Sequence, residues 1–165
     1  MKPALPLPTV KFDEKWITSE IKEDAMKALL QFPETAEPTP QMYEAALETA
    51  RGNLSQLFPL LLAAGASKSR ASEICRTVGS RLSSLIDRDR GLALGVKEAE
   101  WIYSGAPCIA SPKKPLPNEE LRDAEHRAAN GKRYRLADGF LMNGRHVRPG
   151  EEPGCKCRAR HIIAF

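Results

Sequence analysis

Cysteine and histidine are the residue types in this chain whose spacing could support chemistry. Cys155 and Cys157 are separated by one residue near the end of the sequence, and His161 follows four residues later. His126 or Cys108 could bring a further ligand from elsewhere in the chain. Thiolates and imidazoles are the ligands that zinc prefers in closed four-coordinate sites. The residue types therefore permit a zinc site, formed by Cys155, Cys157, His126 and His161.

The spacing of Cys155 and Cys157 argues against that site if both lie on a regular strand. Residues two apart on a strand are separated by about 6.5–7 Å, whereas two thiolates on one zinc bring their sulfur atoms to roughly 4 Å. The chain would have to bend at Pro153-Gly154 to bring them together. We therefore predict no metal and no other cofactor, and interpret both cysteines as small inward-facing strand residues. Zinc remains the alternative.

No catalytic constellation stands out in the sequence. A nucleophilic pair could be drawn from Cys108 or Cys157 with His126, and a metal-free nuclease site from His126, Arg122 and Arg133. Nothing in the spacing brings these side chains within hydrogen-bond reach of one another. There is also no glycine-rich loop of the phosphate-binding kind. We predict a protein that is not an enzyme and has no catalytic residues.

Charge is unevenly distributed along the chain. Residues 1–50 contain 5 Lys/Arg and 9 Asp/Glu (−4), residues 51–100 contain 8 and 5 (+3), and residues 101–165 contain 12 and 7 (+5). An acidic front and a basic back suit a surface that contacts nucleic acid or an acidic partner protein. Because exposed aromatic residues are not interleaved with the charges, any DNA contact would be independent of sequence and sensitive to salt. The candidate contacts are Arg133, Arg135, Lys156, Arg158 and Arg160.

The first 40 residues are predicted to form an extended or partly helical acidic arm. Trp16, Ile17 and Ile21 could line one face of a short helix, and the proline-rich segment 33–40 is typical of a linker. A hydrophobic face on such an arm must dock on something. The partner could be another protein or the chain's own helices.

Residues 41–95 are predicted to form a helical hairpin. Thr39 is a suitable N-cap with proline at the first helical position, and apolar residues then recur at three- and four-residue steps. Pro59 should kink this first helix or begin a new turn, and Gly65 ends it. A second helix, capped by Ser67 or Ser69, contains Cys75 within its apolar face. Cys75 is therefore predicted to be a core residue.

Residues 96–165 are predicted to form a C-terminal α+β domain. Alternation around Trp101 predicts a strand, and Asn118 could cap a short helix with Leu121, Ala124 and Ala128 on its apolar side. Asp138-Gly139 and Asn143-Gly144 are turn dipeptides of a β-meander, and the last strand would place Cys155, Cys157 and His161 on one face. The whole chain is thus predicted to be α+β, with an N-terminal helical hairpin followed by a small, mostly antiparallel sheet with a short helix.

A motif spread over the last part of the chain resembles the phage head morphogenesis family, the minor head proteins similar to those of phages Mu and SPP1. In that family a tryptophan strand leads to a histidine and a glycine, and a Cys-Arg-Cys-like element follows a Pro-Gly turn. Here Lys156 replaces the arginine between the cysteines, and Arg122 stands four residues before the histidine. The matching residues are Trp101, His126, Gly131, Gly139, Pro149, Gly150, Cys155 and Cys157.

The resemblance implies a minor capsid protein of a tailed bacteriophage. Such a protein would be made in the host cytoplasm and located in the phage head. Its expected partners are the portal protein and the capsid interior, with packaged DNA as a contact without sequence specificity and no membrane. A different class stays open as the alternative, a metal-dependent or nuclease-like effector enzyme delivered with the phage DNA.

Overall fold

The computed structural model describes residues 14–53, 55–110, 113 and 115–164, so the first 13 residues of the predicted arm lie outside the described part. The protein has the predicted α+β fold, in which packed N-terminal helices precede small antiparallel sheets and a short helix. The helices are α1 (Ser19–Leu29), α2 (Pro40–Ala50), α3 (Leu57–Ala63), α4 (Lys68–Ala93) and α5 (Pro117–Ala129). The strands are β1 (Glu98–Ile102), β2 (Arg133–Arg135), β3 (Phe140–Met142), β4 (Arg145–Val147) and β5 (Arg158–Ile162).

Helix α1, which the sequence assigns to the acidic arm, packs on the chain's own helices. The Thr18 hydroxyl accepts the Ile21 N–H at 3.3 Å and so caps the helix. Ile21 and Leu29 are fully buried in one core with residues of α2 and α4. The segment after α1 is also held in place, since the buried Thr35 hydroxyl donates to the Leu29 carbonyl at 2.5 Å. Of the two docking alternatives for this arm, the structure has the intramolecular one.

The predicted first helix of the hairpin is two helices. Helix α2 ends at Ala50 and α3 begins at Leu57, with Gly52 in the left-handed region between them at φ +87°. Of the two alternatives predicted for Pro59, a kink or the beginning of a new turn, the structure has the new turn. Pro59 lies in the first turn of α3, where a missing N–H removes no hydrogen bond within the helix.

Helix α4 spans the whole helical core and then leads into the sheet. The Ser67 hydroxyl caps it by accepting the Arg70 N–H at 3.2 Å, and Gly95 follows its end with φ +80°. Its buried stripe includes Ile74, Val78 and Leu82. Cys75 is half-buried beside that core, which agrees with the prediction of a packing role, and burial raises the pKa of its thiol. Within the described part of the chain, no helix is long and apolar enough to cross a bilayer.

The strands do not form the continuous meander that the sequence predicted. Strand β1 lies in the centre of a three-stranded antiparallel sheet of order β2-β1-β5, while β3 and β4 form a separate two-stranded ribbon. β1 takes the central position because its Ala99 and Trp101 are fully buried. The Asn143-Gly144 turn of the ribbon is as predicted, with φ values of 49° and 75°.

The helices and the sheet are joined along α4. A Cβ atom on Gly91 would lie 2.6 Å from Cε1 of His161 in β5, so helix and strand approach each other closely there. A group of charged side chains forms a second junction. Asp24 of α1 binds Arg81 of α4 at 2.8 Å and lies 3.5 Å from Arg148, in the segment after β4.

Candidate metal centre

Four buried side chains place their ligand atoms within 4.8 Å of one another: Cys108, His126, Cys155 and Cys157. The Cys108 sulfur lies 3.5 Å from that of Cys157 and 4.0 Å from that of Cys155. His126 Nδ1 lies 3.4 Å from the Cys155 sulfur and 3.8 Å from the Cys157 sulfur. Around a tetrahedral zinc, Zn–S and Zn–N bonds of about 2.3 and 2.05 Å give edges of roughly 3.8 Å between sulfurs and roughly 3.6 Å from nitrogen to sulfur. The four separations given above are close to these edges, and the remaining two pairs of ligand atoms lie within 4.8 Å.

Cys155 and Cys157 reach the cluster because they precede the last strand. Strand β5 begins at Arg158, so the prediction that both cysteines lie on the strand was wrong, and the strand spacing does not separate their sulfurs. The chain bends at Pro153-Gly154, where Gly154 has φ +75°. A Cβ atom on Gly154 would clash with the backbone of Ala110 and lie 2.7 Å from the carbonyl carbon of Ile109. This close approach holds the Cys155 segment against the loop that contains Cys108.

Cys108 lies in the loop between β1 and α5. Its N–H donates to the Asp123 carboxylate at 2.7 Å, and the Tyr103 hydroxyl donates to the same oxygen at 2.8 Å. Burial alone would raise the pKa of Asp123, but these hydrogen bonds lower it. Asp123 is therefore ionised, and in this form it fixes the position of the loop. It was not among the predicted site residues, because a carboxylate in an amphipathic helix gives no sign that it faces inward.

The inward face of α5 is polar, which is the reverse of the prediction. Glu119, Asp123 and His126 are buried, whereas Leu121 is 64% exposed and the other residues of the predicted apolar side, Ala124 and Ala128, are also exposed. The buried polar groups bind loop backbone that has no strand partner. Glu119 accepts the Ala110 N–H at 3.3 Å. The loop N–H groups are shielded from water and need hydrogen-bond acceptors. The face of α5 that has Glu119 and Asp123 supplies these acceptors and is therefore the buried one. Helix α5 also begins at Pro117, so Asn118 is not its N-cap.

His126 is held in a single orientation. Its Nε2 lies 2.7 Å from the Glu152 carboxylate, and Arg145 binds the other oxygen of Glu152 at 3.0 Å. The ring of Trp101 packs edge-on at 5.1 Å between centroids. Nδ1 is thereby left facing the sulfurs of Cys155 and Cys157. Glu152 could not be found from sequence, since it sits between two turns with no pattern that marks it.

The protonation of the cluster follows from its contacts. Burial on its own would lower the pKa of His126, but hydrogen bonds with Cys108, Cys155 and Glu152 outweigh burial and raise it to about 11. Hydrogen bonds with Cys155 and Cys157 lower the pKa of Cys108. Hydrogen bonds with Cys108 and Cys155, together with burial, raise the pKa of Cys157. The cluster therefore favours a thiolate at Cys108 beside a protonated imidazole.

Backbone N–H groups also point at the sulfurs. The Gly150 N–H donates to Cys155 Sγ at 3.2 Å, and the Lys156 N–H donates to Cys108 Sγ at 3.4 Å. Gly150 has φ +86°, and a Cβ atom there would lie 2.9 Å from the Ser80 hydroxyl of α4. The first Pro-Gly turn, Pro149-Gly150, thus rests on α4, while the second rests on the Cys108 loop. Such donors stabilise negative charge on sulfur.

The zinc alternative of the sequence analysis contained one wrong residue. His161 is not in the cluster: its Nε2 lies 3.3 Å from the Asp87 carboxylate, and its ring packs against Gly91. Cys108 takes its place. The prediction placed His161 with the two cysteines because alternate residues of a regular strand face the same side. That alternation does not extend to the cysteines, since β5 starts after Cys157.

The remaining residues of the family-like motif lie near the cluster or support its strands. The Gly131 N–H donates to the Trp101 carbonyl at 2.8 Å, which ties the end of α5 to β1. Gly139 has φ +84°, and a Cβ atom on it would lie 3.0 Å from the Val147 carbonyl oxygen. That approach brings the Asp138-Gly139 turn onto β4.

The residues predicted to contact DNA or a partner protein differ in whether their charges are already paired within the chain. Arg135 lies 3.3 Å from Asp138, Arg160 lies 2.5 Å from Glu100, and Lys156 donates to the Pro107 carbonyl at 2.6 Å. Arg133 and Arg158 are exposed and have no carboxylate partner among the described residues. The five cations therefore do not act as one uniform patch.

Comparison of the chain with protein-family models, with curated proteins and with solved structures finds no match.

Proposed function

We propose that the chain is a minor capsid protein of the phage head morphogenesis type, which binds the portal protein or the capsid interior and assists assembly of a DNA-filled head. The observation that supports this is that residues of the family-like motif contact one another in the fold. Trp101 packs on His126, Gly131 bonds to Trp101, and Gly150 bonds to Cys155. Residues far apart in sequence thus form one structural unit, as expected of a real family motif.

The geometry favours this role over the effector enzyme. The cluster offers four protein ligands, whereas catalytic zinc sites keep one coordination position open for water or substrate. His126 directs one ring nitrogen at the sulfurs and the other at Glu152. No ring nitrogen is left to act as a general base on a substrate.

A groove between α4 and the segment 154–158 supports a protein partner. It has a volume of about 460 Å³, and Arg76, Lys156 and Arg158 contribute cations to its lining. Arg76 and Arg158 have no carboxylate partner among the described residues, and part of the wall is apolar at Ile109 and Ala110. The lining also contains one carboxylate, Glu73, which is paired with Arg70. A concave, partly apolar groove with an excess of cations suits an acidic protein segment. We propose it as the portal or capsid contact, with DNA phosphates as a weaker, salt-dependent partner.

Co-purification tests the proposed role. The tagged chain would be co-expressed with the portal and major capsid proteins of a tailed phage, and the complexes isolated in low salt. We expect association with the portal or capsid protein. Absence of association with portal, capsid and DNA alike would contradict the proposal. Cleavage of DNA by the purified protein, lost in a folded His126→Ala variant, would favour the effector enzyme.

A further inference from the structure

We propose that Cys108, His126, Cys155 and Cys157 bind one zinc ion, through three thiolates and Nδ1 of His126, and that this ion is a structural part of the C-terminal half. The proposal does not depend on the role in a phage head. It assigns a metal to a protein whose sequence alone favours none.

The donor set selects the metal. Three sulfurs and one imidazole nitrogen form a soft ligand set, which magnesium and calcium do not accept and which zinc binds in tetrahedral geometry. The separations of 3.4–4.0 Å between neighbouring ligand atoms match the edges of that tetrahedron. All four ligands come from this one chain and are buried, so the site is closed in the way structural zinc sites are.

The surroundings of the ligands are those of a zinc site. A zinc-bound histidine commonly donates its second ring N–H to a carboxylate, which fixes the ring and its tautomer. Glu152 occupies that position at 2.7 Å from Nε2. Three thiolates and one Zn²⁺ leave one net negative charge, and the N–H groups of Gly150 and Lys156 donate to two of the sulfurs.

A purely apolar packing role explains these contacts less well. All of the cysteines are free thiols, so no disulfide holds the segments together. Cysteines that only fill space do not require a fully buried histidine ring nitrogen directed at their sulfurs. Metal coordination satisfies Nδ1 and all three sulfurs at once.

The ion would link three separate segments of the C-terminal half. The ligands come from the β1–α5 loop, from α5 and from the turn before β5, and strands β2, β3 and β4 are only three residues long each. Because the site does not exist in the unfolded chain, the free energy of zinc binding becomes folding free energy. The C-terminal half should therefore lose its fold when zinc is removed.

Metal analysis of the purified full-length chain tests the assignment. We expect one zinc per chain, and, after exchange to cobalt, the absorption bands of a tetrahedral Co²⁺ site with thiolate charge transfer. Cys108→Ser and Cys157→Ser should each lose most of the bound metal. Cys75→Ser is the matched control, because Cys75 is the only cysteine outside the cluster, and this variant should retain one zinc.

Chelation keeps the proposal testable if the cysteine variants do not fold. Treating the unmodified protein with a strong chelator should lower its Tm and release one zinc, and adding Zn²⁺ but not Mg²⁺ should restore the Tm. A metal-free protein with an unchanged Tm, or stoichiometric iron or copper in place of zinc, would overturn the assignment. Neither result would affect the association with portal or capsid protein, so the two proposals fail separately.

Discussion

His126 Nε2 lies 2.7 Å from the Glu152 carboxylate, and this contact determines which ring nitrogen faces the three sulfurs. Glu152 is itself held by Arg145 at 3.0 Å. Burial alone would raise the pKa of Glu152, but its hydrogen bonds with His126 and Arg145 lower it. The carboxylate is therefore ionised and accepts a hydrogen bond from the Nε2–H group. This leaves Nδ1 as the ring nitrogen that faces the sulfurs.

Glu152→Gln should weaken zinc binding without abolishing the site. The amide can still accept from Nε2, but it lacks the charge that makes the imidazole a stronger ligand, and loss of such a partner typically costs 10–100-fold in metal affinity. Competition with a chromophoric chelator measures the affinity. The matched control is Glu120→Gln, an exposed carboxylate on α5 outside the cluster. Equal affinities for the two variants would contradict the role given to Glu152.

Gly154→Ala should destabilise the protein more than an ordinary left-handed glycine substitution does. A Cβ atom would clash with the backbone of Ala110, which cannot move without displacing Cys108. Gly65→Ala is the matched control, since Gly65 has φ +94° and nothing within 4 Å of its Cβ position. We expect about 1–2 kcal/mol for Gly65→Ala from the backbone alone and a further 1–3 kcal/mol or so for Gly154→Ala from the clash. Urea unfolding measures both, and equal losses would rule out the clash.

Gly91→Ala should destabilise the protein although alanine normally stabilises a helix by about 1 kcal/mol over glycine. The added methyl would lie 2.6 Å from the His161 ring and 2.7 Å from Leu136 Cδ2. Overpacking of this kind costs roughly 1–3 kcal/mol, so the net change should be a loss. Thermal unfolding checks the sign. Combining the change with His161→Ala should recover part of the loss, and a double-mutant cycle without coupling would contradict the contact.

Local signals in the sequence predicted the local features of the fold. Ser67 caps α4 as expected, and Asn143-Gly144 forms its turn, because capping and turn geometry depend on a few neighbouring residues. The break at Gly52 was missed because the apolar periodicity continues through it. The burial of Asp123 and His126 could not be predicted, since it depends on loop N–H groups that arrive from distant parts of the chain.

The candidate site was predictable in its residue types and not in its assembly. Sequence supplied Cys155 and Cys157 as ligands, with His126 or Cys108 as a further one. The alternation of side chains along a regular strand added His161, and the strand spacing argued against a metal. Both inferences assumed that β5 includes the cysteines. The start of β5 is set by its pairing with β1, where Arg158 is opposite Ile102. Cys108 then completes the cluster through the close approach at Gly154.

Asp24→Asn should cost far more stability than a neighbouring charge change. Asp24 binds Arg81 at 2.8 Å and lies 3.5 Å from Arg148, and these side chains are 10–17% exposed. Removing one partner of a buried ion pair costs about 3–5 kcal/mol, because the remaining charges stay desolvated. Glu23→Gln is the matched control: its pair with Lys27 is exposed to solvent, so losing it should change stability little. Denaturant midpoints compare the two variants, and similar shifts would show that this junction does not stabilise the fold.

Arg158→Glu should reduce binding of the chain to the proposed acidic partner. Arg158 is exposed at the groove beside α4 and has no carboxylate partner among the described residues, so reversing its charge alters partner binding without breaking an internal ion pair. Arg135→Glu is the control, since Arg135 is also exposed but lies outside the groove, 3.3 Å from Asp138. We expect about 10-fold weaker capture of the portal or capsid protein for Arg158→Glu, because like charges at an interface are repulsive. Equal capture by both variants would place the contact elsewhere on the surface, and a loss confined to DNA binding would make DNA the partner of this groove.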